Sequence, residues 1–157
     1  MENSIVSFRI VAGLLFLAAC SSATQRGSTN GQLTGAASAQ LAVDQFLGAV
    51  RARDLQAMSI VFGTSNGPAR ETMDRTELEK REVILTCYFT NDSYRILGEH
   101  SGAGNHREIQ VELKKGNITR QTTFYAIQGP GDRWYIDNMD IASVRDFCGN
   151  PGMPRGQ

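Results

Sequence analysis

Residues Arg107–Leu113, REIQVEL, alternate strictly: Ile109, Val111 and Leu113 point one way, Glu108, Gln110 and Glu112 the other. Successive side chains on extended backbone face opposite sides, so a period of two marks a half-buried strand. Working outward, Tyr94–Glu99 reads as the strand before it and Ile118–Gln128 as the strand after it. Arg133–Ile141, which carries the only tryptophan, reads as the last strand. Lys115-Gly116-Asn117 and Gly129-Pro130-Gly131-Asp132 are short turns. Connections this short join antiparallel neighbours and predict a β-meander.

Upstream the period changes. Val43, Phe46, Leu47 and Val50 fall at i, i+3, i+4 and i+7, the stripe of an amphipathic helix whose end carries Arg51 and Arg53. Asp54 is placed as the N-cap of a second helix, Leu55–Phe62, ended by Gly63. Gly63–Ala69 (GTSNGPA) reads as a turn-rich loop. Asp74 and Glu77 have the spacing of an N-cap and its N3 partner, and they open a third helix, Arg75–Phe89. Leu78, Leu85 and Phe89 form its apolar stripe. Val83–Phe89 is β-branched and aromatic enough for a strand. Helix is preferred because the charged block Glu77–Glu82 (ELEKRE), read as a solvated face, runs straight into it. The expected class is α+β, with N-terminal amphipathic helices packed on a curved antiparallel β-meander.

The chain of 157 residues holds one domain. Lys+Arg and Asp+Glu both number 16, so the basic field that nucleic-acid binding needs is missing and no nucleic-acid partner is expected. The hydrophobic fraction of 41% argues against a disordered chain and against a multi-span membrane protein.

At the N-terminus, Met1–Arg9 carries one arginine, and Ile10–Ala19 is a continuous apolar run ending at Cys20-Ser21-Ser22. Ten residues of helix rise about 15 Å, half a bilayer core, so residues 1–19 read as a signal peptide. Leu17-Ala18-Ala19-Cys20 resembles the bacterial lipobox. That resemblance implies a diacylglycerol thioether on Cys20, cleavage before it, and a domain held in the cell envelope outside the cytoplasm. Ser21 in place of Asp favours the outer membrane, where the organism has one. Residues 20–35, rich in Ser, Thr, Gly and Asn, then form a flexible tether, 36–148 the domain, and 149–157 a disordered tail.

The order of helices and strands, with Ala42-Val43-x-x-Phe46-Leu47-x-Ala49 running into Arg53-Asp54-Leu55-Gln56-Ala57-Met58, and the late Gly131-Asp132-Arg133-Trp134-Tyr135-Ile136-Asp137, resembles the nuclear transport factor 2-like superfamily. The resemblance implies a cystatin-like cone. The superfamily's first strand, often found between helices two and three, is not evident. Homodimers through the sheet's outer face are common in that fold, and Trp134 or Tyr135 are candidates to mediate one, with a place in the core the equal alternative for both.

Setting Cys20 aside leaves Cys87 and Cys148, an even pair that suggests a disulfide in an exported domain; two separate buried thiols are the alternative. No Cys-x-x-Cys is present, and a redox catalyst is not expected. His100 and His106 flank a Gly-rich loop and are expected in a surface hairpin, with no metal site. Asn91-Asp92-Ser93 and Asn117-Ile118-Thr119 match the glycosylation sequon, and a bacterial lipobox makes them plain turn residues. Tyr88, Tyr125, Trp134 and Asp137 are the candidate pocket residues. No catalytic residue and no cofactor are assigned. The expected function is a non-catalytic, lipid-anchored module binding a small apolar ligand or an envelope protein. The rival is an enzyme of the ketosteroid isomerase or polyketide cyclase type, which the superfamily also contains.

Overall fold

The computed structural model describes residues 33–149. The signal peptide expected over 1–19, Cys20 with the tether to residue 32, and residues 150–157 of the tail lie outside the described residues.

Ser38 accepts a hydrogen bond from the Leu41 N–H at 3.2 Å and opens α1 (Ala39–Ala52). Arg53, in the left-handed region with φ 54°, closes it. The stripe Val43, Phe46, Leu47 and Val50 is fully buried. Asp54 caps α2 (Leu55–Val61), its carboxylate accepting from the Ala57 N–H at 2.9 Å. The expected loop after it is more structured than its composition implies. It forms a two-residue antiparallel pair, β1 (Gly63–Thr64) and β2 (Gly67–Pro68), followed by the single turn α3 (Ala69–Thr72). A Cβ on Gly63 would overlap the Gly67 carbonyl, so the pair closes only around a glycine.

Asp74 accepts from the N–H groups of Thr76 and Glu77 and opens α4 (Arg75–Phe89), which is helical throughout, including Val83–Phe89. Its buried residues are Leu78, Glu82, Leu85 and Phe89. Glu82 therefore corrects the reading of Glu77–Glu82 as a solvated face: it is 2% exposed. Asn91, expected as a plain turn residue, is also buried, and its side-chain amide donates to the Phe89 carbonyl at 2.9 Å.

Four strands follow, β3 (Ser93–Ser101), β4 (His106–Lys115), β5 (Ile118–Gly129) and β6 (Arg133–Met139), hydrogen-bonded in sequence order and antiparallel. Ile109, Val111 and Leu113 are buried, as the alternation requires. Phe46 of α1, Phe89 of α4 and Phe124 of β5 meet at ring-centroid separations of 5.1–6.2 Å in the centre of the core. Phe46 meets the other two rings edge-on, the arrangement aromatic quadrupoles favour, and Phe89 and Phe124 are tilted against each other. The last strand stops at Met139. A 3₁₀ segment, Ala142–Phe147, then buries Val144 and Phe147 and brings Cys148 to Cys87, where the two form a disulfide with Cα atoms 5.0 Å apart.

The tether expected to run to Gly35 ends earlier than its composition suggests. Thr34 Oγ1 is 3.0 Å from the Tyr135 hydroxyl, Gly35 N–H donates to the Ile60 carbonyl, and Arg133 donates to the Thr34 and Gly35 carbonyls. Gly35, with φ 69°, lies against the Tyr135 ring where a Cβ would clash. Backbone satisfaction, not apolar burial, fixes these residues, and composition does not report it.

Candidate functional site

β6 is an outer strand of the sheet, paired along one side with β5. Single bridges occupy its first half: Ala36 pairs with Trp134 and Phe62 with Ile136. Beyond Ile136 the edge borders a surface cleft of about 260 Å³. Asp137, Asn138 and Met139 form its sheet side, and Arg81, Ile84 and Leu85 its α4 side. Phe62 and Ile141 complete the lining. Asn138 Oδ1 accepts from the Met139 N–H at 2.8 Å, which blunts the strand edge against pairing with another chain. Ile84 is 54% exposed and its neighbour Val83 58%, so an apolar lip stands beside the opening.

Asp137 reaches this place through a bulge. Tyr125 is paired with Asn138 and Ala126 with Ile136, which leaves Asp137 as the extra residue of β6. One of its oxygens lies 2.7 Å from His106 Nε2. The other is buried without a hydrogen-bond partner among the described residues. His106 Nδ1 lies 2.8 Å from the Ala103 carbonyl, which only accepts, so Nδ1 carries a proton. The hydrogen bond to Asp137 raises the His106 pKa, with burial opposing and the Ala103 carbonyl assisting. Both ring nitrogens are thus committed, and no imidazole lone pair is offered to a substrate. The pair fastens the Gly102–Asn105 turn to the bulge of β6.

The four candidate pocket residues are not gathered into one pocket. Asp137 lines the cleft on β6. Trp134 packs against the core and borders a separate polar cleft with Ser101, His106 and Gln128. Tyr88 is half-buried against the core on α4. Tyr125 stands in the register row Glu108–Tyr125–Asn138, on the sheet face opposite Ile109 and Phe124, and makes no side-chain hydrogen bond to Asp137. The register with β4 and β6 decides its face. His100 is exposed on β3.

Two residues beside the cleft carry roles that sequence patterns do not show: His106 holds the cleft's Asp137, and Glu82 is buried on α4 next to the cleft-lining Arg81. His106 was expected only as a hairpin residue, and its partner lies 31 positions away, beyond any local signal. Glu82 had a signal: it fills the i+4 slot of the Leu78–Leu85–Phe89 stripe. Burial, and then the nearby Glu79 charge, push its carboxyl up to about 7. Among the described residues no group of three or more His, Cys, Asp or Glu is arranged to hold a metal, and no helix is long and apolar enough to cross a membrane.

Comparison with protein-family models, with curated proteins and with solved structures gave no match.

Proposed function

We propose that this chain is a bacterial lipoprotein of the cell envelope, anchored through Cys20, whose domain is a non-catalytic binding module built as a nuclear transport factor 2-like cone. The observation that carries the non-catalytic reading is the filled interior: Phe46, Phe89 and Phe124 are each 0% exposed and occupy the centre between helices and sheet. The rival enzyme reading needs a carboxylate base and a tyrosine facing one enclosed apolar cavity. Here Asp137 is engaged by His106, and Tyr125 stands on the face away from the aromatic core. The Cys87–Cys148 bond supports an oxidising compartment, where structural disulfides persist.

Binding then falls to the cleft between α4 and β6. Its lining of Phe62, Ile84, Leu85, Met139 and Ile141 with a few polar groups is the usual chemistry of a small-ligand site. At about 260 Å³ it suits a small apolar molecule. The test is titration of the full chain with a fluorescent apolar probe such as anilinonaphthalene sulfonate. Ile84→Glu, at an exposed position, is expected to weaken probe binding roughly tenfold without lowering the unfolding midpoint. Unchanged probe affinity in that variant refutes the cleft as the binding surface.

A further inference from the structure

Glu82 is 2% exposed, occupies the inward stripe of α4 between Leu78 and Leu85, and has one carboxyl oxygen without a hydrogen-bond partner. An unpaired carboxyl in such a place is held neutral, because burying its ion costs far more than burying its acid. The elements packed against α4 bring no relief. α2 carries no charged residue. Asp44 of α1 accepts from the Tyr94 hydroxyl, and Asp146 of the 3₁₀ segment pairs with Arg120. Among the described residues no ion pair or side-chain hydrogen bond joins Glu82 to Arg51 or Arg53 of α1, Arg70 or Glu71 of α3, or Arg145 of the 3₁₀ segment. The charge that does bear on it, Glu79, has the same sign and acts in the same direction as burial.

The two halves of α4 are held unequally. Beyond Glu82, Leu85 and Phe89 are buried, Thr86 Oγ1 donates to Met58 Sδ at 3.4 Å, and Cys87 is bonded to Cys148. Between Arg75 and Glu82 the buried residues are Leu78 and Glu82 alone. The ion pairs of that half, Arg75–Glu79 and Arg81–Glu77, stay within the helix and tie it to nothing else. Detaching the first half therefore exposes one leucine and hydrates one carboxylate.

We infer that α4 is a pH-sensitive flap, pinned at Cys87, whose N-terminal half loosens when Glu82 ionises and carries Arg81 away from the cleft, while Leu85 and Phe89 stay seated. Low pH keeps the flap docked; a rise through neutrality releases it. The consequence for binding rests on the cleft being the ligand surface, whereas the motion does not.

The test is backbone amide hydrogen exchange on the full chain at about pH 5.5 and about pH 8.5, corrected for intrinsic rates, comparing residues 76–82 with residues 85–89. Protection of 76–82 is expected to fall roughly tenfold relative to 85–89 at the higher pH, and Glu82→Gln is expected to abolish that difference. Equal behaviour of the two halves, or an undiminished difference in Glu82→Gln, overturns the inference. Should that variant fail to fold, carboxyl-carbon NMR titration of the unaltered chain decides: a Glu82 midpoint that coincides with the pH at which residues 76–82 lose protection supports the flap, and a midpoint near 4.5, or one apart from that loss, overturns it. Neither measurement uses a ligand, so failure of the probe titration and failure of the flap are separate results.

Discussion

His106 is the residue whose chemistry most directly ties a turn to the candidate site. Its raised pKa means that the folded state binds the proton more tightly than the unfolded chain. The contribution to stability is therefore fully present below the unfolded value of about 6.5 and is lost as pH rises through the raised folded value. His106→Ala is expected to lower stability by about 1–2 kcal/mol near pH 6, with the deficit shrinking at alkaline pH. Chemical denaturation of both chains across pH measures this, and a deficit that grows with pH contradicts the assignment. At this scale legibility depended on distance along the chain. Caps at Asp54 and Asp74 are local and were readable. The His106–Asp137 pair depends on a bulge that places an extra residue in β6, which no window of sequence contains.

At the scale of elements, period and capping carried most of the reading. α1, α2, α4 and the four long strands lie where their patterns put them, with ends that differ by at most two residues. The choice at Val83–Phe89 turned on cooperativity: a capped helix already running through Glu77–Glu82 continues more cheaply than a strand can nucleate beside it. β1 and β2 escaped notice because two residues cannot display a period, and Thr34–Gly35 because their hydrogen-bond partners, Ile60, Arg133 and Tyr135, lie far along the chain. The contact of α1 and α4 on the sheet runs through one aromatic cluster. Phe124→Ala removes the ring shared by Phe46 and Phe89 and is expected to cost about 3–5 kcal/mol, read as a drop in denaturation midpoint. A loss below about 1 kcal/mol would mean that the interior is not filled as described, and would reopen the case for an internal pocket.

For the molecule as a whole, the disulfide links α4 to the end of the described chain across a sequence separation of 61. In the chain-entropy picture a loop of that length contributes about 4 kcal/mol by restricting the unfolded state. Reduction is expected to lower the denaturation midpoint accordingly. An unchanged midpoint under reducing conditions would remove the structural support for an oxidising address. The proposed envelope address and lipid anchor rest on Cys20, a residue outside the described part of the chain. The most direct measurement is the intact mass of the protein isolated from its native host. The expected product begins at Cys20 and carries the added mass of a diacylglycerol thioether; an unprocessed chain beginning at Met1 without lipid would rule out the proposed anchor.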